Sequence, residues 1–141
     1  MIEFDVSIPV PRTFVWECLT DNNHIRHWWR EGVTLDAEAK GEFVEPWTDK
    51  HGIKHTTRGN VTAIDPGERL QFDWKDEEWV HATRVEFLLK VTEGGTQLYL
   101  SHSGWDVFAD DVRSVKVDEH RKGWRELISN FRNYCIQEYQ K

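Results

Sequence analysis

Apolar and polar residues alternate at the beginning of the chain, where every second residue from Ile2 to Ile8 is apolar. This period of two predicts a strand with one buried face. Pro11 is suited to the first position of a helix, because the N–H group that proline lacks has no partner there. Val15, Trp16 and Leu19 then recur at helical spacing, so a short helix is predicted after the first strand.

A second short helix is predicted immediately afterwards. The polar run 21–23, Asp-Asn-Asn, can end the first helix and cap the next one, because short polar side chains accept hydrogen bonds from free backbone N–H groups. Ile25, Trp28 and Trp29 supply the apolar side of this second helix.

The period of two returns between Gly32 and Trp105, where clusters of turn-forming residues interrupt it. Because short turns join hairpins, the economical topology is an antiparallel meander. Together with the first strand the segments make seven strands. The predicted segments are 33–37, 41–47, 53–64, 69–75, 80–92 and 96–104.

The last part of the chain predicts one long amphipathic helix. After an irregular acidic stretch at 106–111, Trp124, Leu127, Phe131 and Cys135 recur at spacings of three and four. A sheet with one apolar face must be covered, and this helix is the only long one available. We therefore expect an α+β fold whose curved seven-stranded sheet wraps around the helix and leaves a cavity between them.

Strand parity predicts which side chains face that cavity. Continuing the alternation along each strand brings three ionisable groups, Glu45, His81 and His102, to the same side as the aromatic residues. Trp74 and Trp124 are assigned to the core first, whereas Trp28, Trp47 and Trp105 are expected at the cavity mouth. The candidate cavity residues are Trp28, Phe43, Glu45, Trp47, Phe72, Trp74, His81, Phe87, His102, Trp105 and Trp124.

Composition narrows the class of protein. The 141 residues are expected to form one domain, 1–141, and the net charge of −7 without a basic run argues against nucleic acid as a partner. Cys18 and Cys135 lack metal-site spacing and are interpreted as buried free thiols. No signal peptide or membrane span is recognised, which predicts a cytoplasmic protein without membrane insertion. No motif indicates a cofactor or a metal site.

Six segments resemble the family of activators of heat shock protein 90 ATPase homologues, a branch of the START-like (SRPBCC) helix-grip superfamily. The similarity implies a helix-grip fold, in a superfamily whose members bind lipids, plant hormones or polyketides. At Lys40-Gly41 the chain departs from the two glycines usual in the family. It also lacks the additional amino-terminal docking domain of the eukaryotic co-chaperones, so direct chaperone activation is not implied. The segments are 15–21, 25–29, 59–74, 96–98, 102–105 and 123–127.

Three functions remain open from the sequence. The first is non-enzymatic binding of a small hydrophobic or amphipathic ligand in the cavity, with a stress or regulatory response as one setting. The second is a protein-interaction module with a chaperone or other partner, acting through acidic residues such as Asp110 and Asp111. The third is a cyclase- or hydrolase-type enzyme with His81 or His102 as base and Glu45 as acid. In the alternative interpretation these three groups are simply hydrogen-bonded to a neighbouring strand or to a tryptophan N–H.

Overall fold

Seven antiparallel strands form one curved sheet in the computed structural model, which describes residues 1–141. Six consecutive strands form a meander, and the first strand pairs with the last, giving the order β1-β7-β6-β5-β4-β3-β2. The α+β fold and its strand number are as predicted. The elements are β1 (Ile2–Ile8), α1 (Arg12–Thr20), α2 (Asn22–Trp28), β2 (Thr34–Leu35), β3 (Glu42–Thr48), β4 (Lys54–Asp65), β5 (Arg69–Asp76), β6 (Thr83–Thr92), β7 (Gly95–Ser103), a 3-10 turn (Trp105–Val107) and α3 (Asp110–Tyr139).

The two short helices begin within one residue of the predicted positions. Pro11 stands immediately before α1, one position earlier than expected, and its carbonyl accepts the first helical hydrogen bonds. Asp21 separates the helices, and its carboxylate accepts a hydrogen bond of 2.9 Å from the backbone N–H of Asn23. This contact satisfies one of the free N–H groups at the start of α2, which confirms the predicted cap.

Helix α3 begins earlier than its apolar periodicity indicates. The 3-10 turn and the first turn of α3 occupy most of the stretch predicted to be irregular. Asp110 and Asp111 lie in the first helical turn, where the helix dipole favours negative charge. The buried face differs by one residue from the prediction, since Ile128 is buried while Leu127 is half-buried. This face consists of Trp124, Ile128, Phe131 and Cys135.

Lys40-Gly41, where the sequence departs from the two glycines usual in the similar family, forms a tight turn immediately before β3. Lys40 has a positive φ of 66°, the conformation that a glycine would adopt without strain. A Cβ atom on Gly41 would lie 1.9 Å from the carbonyl oxygen of Asp36, so only glycine fits there. The N–H of Lys40 donates to the carbonyl of Val61, and the carbonyl of Gly41 accepts from the N–H of Val61, which ties this turn to β4.

Strand β6 begins at Thr83, three residues later than predicted, and this corrects the placement of His81. Trp79 turns inward and packs its ring against Trp105 and Phe108, with centroids 5.9 and 4.9 Å away. The chain from 80 to 82 therefore passes over the surface instead of continuing the strand, and His81 is exposed. At the far end of β6, Val91 has the parity of the inward-facing residues Phe87 and Leu89, but its side chain is also exposed.

Two further features of the chain are the state of its cysteines and the character of its helices. Cys18 and Cys135 are both buried and free, as predicted. No helix combines the length and the apolar composition that a membrane crossing requires.

Candidate functional site

The space between the sheet and the helices is filled by aromatic side chains. Trp29 follows α2 and lies among four other rings, whose centroids are 5.3 to 6.3 Å from its own. The wholly apolar pocket beside it has a volume of about 10 Å³, roughly the room for one water molecule. The enclosed hydrophobic cavity predicted from the sequence is therefore not present, because Trp29 occupies it. The four rings are those of Trp28, Phe43, Trp74 and Trp124.

An open cleft of about 310 Å³ lies instead between strands β3, β4 and β5 and helix α3. This volume is at the lower end of the ~300–1,000 Å³ common for small-molecule sites. One part of the wall is apolar and aromatic, and another part is ionisable. The apolar residues are Trp47, Trp74, Trp124 and Leu127. The ionisable residues are Arg30, Glu45, Asp76, Glu119 and His120.

Glu45 lies on β3 and is only 8% exposed, as its predicted inward orientation requires. Its Oε2 atom accepts a hydrogen bond of 2.9 Å from the indole N–H of Trp29 and a second one from the guanidinium of Arg30. No protein group donates to its Oε1 atom. Burial raises the pKa of Glu45, and the charge of Arg30 opposes this rise.

Asp76 lies at the end of β5 and is oriented by a chain of hydrogen bonds. The Thr57 hydroxyl donates to Oδ1 of Asp76 and accepts a bond of 3.0 Å from the indole N–H of Trp47. Because Thr57 has only one proton to give, these bonds fix the direction of the chain from Trp47 to Asp76. The second carboxylate oxygen of Asp76 has no protein donor.

His102 is completely buried behind the cleft wall, and both of its ring nitrogens are engaged. Nδ1 accepts a bond of 2.9 Å from the indole N–H of Trp124. The proton therefore lies on Nε2, which donates to the hydroxyl of Thr83 at 2.7 Å. Burial lowers the pKa of His102 to about 2. The interpretation that this histidine is satisfied by a tryptophan N–H is the one the structure supports.

His120 holds Trp74 in the same way that His102 holds Trp124. It is not among the site residues predicted from the sequence. Its Nε2 accepts from the indole N–H of Trp74 at 3.2 Å, and Nδ1 donates to the carbonyl of Lys116 at 2.8 Å. Burial lowers the pKa of His120 as well. A signal was available, since His120 lies four residues before Trp124 and so shares its helix face. The two histidines thus hold two tryptophans of the wall in place.

Several predicted site residues lie outside the cleft. Trp28 and Trp105, expected at its mouth, are each 4% exposed. Their indole N–H groups donate to the backbone carbonyls of Cys18 and His102, at 2.8 and 2.9 Å, which holds the rings in the core. Of the predicted residues, the structure places four in the cleft wall and the rest elsewhere. The four are Glu45, Trp47, Trp74 and Trp124. The core residues Phe43, Phe72 and Phe87 belong to the apolar interior.

Arg30, Asp76 and Glu119 are wall residues that the sequence did not single out. They come together only because β5 ends opposite the middle of α3 and the chain after α2 passes beside β3. No local pattern carries that information.

A larger groove of about 480 Å³ lies on the opposite face of the sheet. Its side chains, among them Glu3, Lys90 and Tyr99, project from the strands into solvent. Its half-buried carboxylate, Glu86, already accepts hydrogen bonds from Arg69 and Gln71. No tryptophan lines this groove, in contrast to the cleft.

Glu17, Asp21 and His24 are the one group with metal-ligand character. Their ligand atoms lie within 4.8 Å of one another. Asp21 is the cap of α2, and Nδ1 of His24 is hydrogen-bonded at 2.6 Å to the hydroxyl of Tyr134. These contacts give Asp21 and His24 structural roles near the surface.

Comparison with known proteins gives one family match. The family model described as Activator of Hsp90 ATPase homolog 1-like protein matches residues 9–135, which is most of the chain. No curated protein sequence matches.

Many solved structures share the fold. Protein NE0264 from Nitrosomonas europaea has a TM-score of 0.79 at 18% identity, with 99% of this chain and 96% of that chain covered. The Aha1 dimer from Colwellia psychrerythraea has a TM-score of 0.73 at 16% identity, covering 96% and 95%. DynU16, from the dynemicin biosynthetic locus, has a TM-score of 0.75 at 21% identity, covering 94% of this chain and 46% of that one. At these identities the likeness establishes the helix-grip fold alone.

Proposed function

Because the chain belongs to the Activator of Hsp90 ATPase homolog 1-like family, we propose that it binds a small amphipathic molecule in the cleft between β3–β5 and α3, without converting it chemically. The family is consistent with a ligand-binding or interaction module in general. The observation that carries the finer proposal is the cleft of about 310 Å³, which places aromatic faces beside carboxylates.

The walls of the cleft are held ready for a ligand. Trp47, Trp74 and Trp124 each donate their indole N–H to a buried protein acceptor, so their rings are fixed before anything binds. Preorganised walls favour affinity, because little side-chain freedom is lost on binding. The apolar interior has no comparable space, which favours an amphipathic ligand over a wholly apolar one.

Gly123 provides a test of this location. It lines the cleft from α3, and a Cβ atom built on it meets no other atom within 4 Å, so a side chain there projects into open space. Gly123→Leu should fill part of the cleft while the helix stays intact. Ligands are found with a panel of neutral, cationic and anionic amphiphiles, using melting temperature and tryptophan fluorescence. A ligand at about 100 times its Kd stabilises the protein by about 2.7 kcal/mol, and Gly123→Leu should abolish that gain.

Ser129→Leu is the matched control, because Ser129 is exposed on the same helix and lies outside the cleft. It should leave the ligand-induced shift unchanged. A ligand that stabilises the Gly123→Leu protein as much as the parent would place binding elsewhere on the molecule.

The acid–base arrangement suggested for an enzyme is not assembled. His81 is exposed on the loop before β6, and both nitrogens of His102 are engaged by Trp124 and Thr83. The proposal therefore contains no cyclase or hydrolase step through these residues. The alternative of a protein-interaction module stays a prediction, and Asp110 and Asp111 already have a local role at the start of α3.

A further inference from the structure

We infer that the ligand of this cleft carries a positive charge, as an amine or guanidinium group attached to an apolar body. This inference rests on the proposed binding function and adds the chemical class of the ligand. Three features of the wall support it: its balance of charge, its unused hydrogen-bond acceptors and its aromatic rings, whose indole N–H donors are already engaged.

The wall carries more negative than positive charge. Glu45, Asp76 and Glu119 supply three carboxylates, and Arg30 supplies the one full positive charge. Arg30 is already committed, because its guanidinium bonds Glu45 and the carbonyl of Pro46. His120 adds no charge near neutral pH, since burial lowers its pKa. An anionic ligand would therefore meet an unfavourable field, whereas a cation would be attracted.

Glu45 and Asp76 each have one carboxylate oxygen without a protein donor. The contacts of Glu45 all fall on Oε2, and the side-chain contact of Asp76 falls on Oδ1. Neither free oxygen is fully buried, so both can accept a hydrogen bond from a group in the cleft. A charged donor forms a stronger hydrogen bond to a carboxylate than a neutral one does. The two carboxylates also lie close enough to interact, since Asp76 contributes to the raised pKa of Glu45.

The indole N–H donors of the wall are used by the protein itself, which leaves the hydroxyl of Thr48 and the Nη1 group of Arg30 as donors open to a ligand. The indole N–H groups of the three wall tryptophans point to Thr57, His120 and His102. The hydroxyl of Thr57 donates to Asp76. The cleft therefore presents acceptors and aromatic rings, and aromatic rings attract cations. This combination matches an amine with an apolar tail.

Three probes of one shape test the inference: 4-phenylbutylamine, 4-phenylbutan-1-ol and 4-phenylbutyrate. They share a phenylalkyl body, carry a cationic, a neutral and an anionic head group, and add no indole fluorescence. We expect calorimetric titration at neutral pH and low salt to give a Kd for the amine about tenfold below that of the alcohol, with the acid weakest. Added salt should weaken the amine and leave the alcohol unchanged, because screening acts on charge.

Two near-isosteric variants locate the charge. Asp76→Asn should weaken the amine by about tenfold, and Glu119→Gln by a smaller factor because Glu119 is exposed. Both should change the Kd of the alcohol by a smaller factor than that of the amine. Glu126→Gln is the control, since this carboxylate is exposed on the same helix outside the cleft, and it should change nothing. Should Asp76→Asn not fold, Glu119→Gln and the salt dependence still decide the matter.

The results separate this inference from the binding proposal. Equal affinity for the three probes, or tighter binding of the acid, would overturn the cationic ligand while leaving a binding cleft. Failure of all three probes and of the wider amphiphile panel would overturn the binding proposal together with the inference. A further contrary result is that Glu126→Gln removes the preference for the amine as effectively as Asp76→Asn does. That result would place the charge effect outside the cleft and overturn the inference.

Discussion

At the residue scale, the buried His102 and the half-buried His120 support two tryptophans of the cleft wall. His102 accepts a hydrogen bond from Trp124, and His120 accepts one from Trp74. Each histidine donates its own ring N–H to a second protein group. Both rings are therefore neutral in the folded chain. Protonation of either one would put a proton where the indole N–H now points, so it would break the contact that holds the tryptophan.

This arrangement predicts a loss of stability in acid. The pKa of both histidines is lowered from 6.5 by burial, that of His102 to about 2. Below 6.5 the unfolded chain binds protons that the folded chain does not, so the free energy of unfolding falls as pH falls. The slope should approach about 1.4 kcal/mol per pH unit for each histidine. Glu45 has the opposite effect on the free energy of unfolding at pH values near the ordinary pKa of glutamate, because its pKa is raised in the folded chain.

Urea unfolding between about pH 7 and about pH 5 measures that slope. His120→Gln should reduce the slope by the contribution of one histidine, because a neutral amide cannot take up the proton. His81→Gln is the control, since this histidine is exposed. A slope that His120→Gln leaves as steep as in the parent would contradict the assignment.

At the scale of elements, helix α3 packs one face into the core and lines the cleft with neighbouring residues. Trp124 and Ile128 are buried, while His120, Gly123 and Leu127 line the cleft. Gly123 lowers helix stability, because glycine loses more backbone freedom on folding than other residues. Its place in the cleft wall explains how the helix can keep open space there.

Gly123→Ala should therefore stabilise the protein, by about 0.5–1 kcal/mol. The added methyl meets no other atom within 4 Å. Chemical denaturation measures the gain, and Ser129→Ala on the exposed side of α3 should give a smaller one. A loss of stability in Gly123→Ala would mean that the helix backbone at this position tolerates no side chain.

At the scale of the whole molecule, Trp29 decides that the protein has an open cleft and no enclosed cavity. Its ring fills the space between the sheet and α3, and its N–H is bonded to Glu45 at the cleft wall. The same side chain therefore closes the interior and orients a polar residue of the cleft.

Trp29→Ala should convert the molecule to the form that the sequence pattern predicts. Removing the half-buried ring should lower the free energy of unfolding by about 3 kcal/mol and leave an apolar cavity. Xenon binding, observed by crystallography, would reveal the cavity. Trp16→Ala, which truncates a half-buried tryptophan of α1, is the control and should bind no xenon. Collapse of the interior without a xenon site would contradict the role assigned to Trp29.

The order and type of the elements were predictable because they depend on local periodicity and turn residues. The alternation from Ile2 to Ile8 and the polar run at 21–23 gave β1 and the boundary between α1 and α2. Strand parity also placed Glu45 and His102 on the inner side. It failed for His81, because Trp79 packs inward by a long-range contact and ends the alternation early.

The sheet, the covering helix and the inner face follow from the amino-acid sequence, because they depend on which residues must leave water. What the inner face encloses depends on how the elements pack against one another. The filling of the interior by Trp29, and the meeting of Arg30, Asp76, Glu119 and His120 in one cleft, depend on distances between elements far apart in the chain. Periodicity specifies the side on which a residue lies, and packing specifies which residues from other elements lie opposite it.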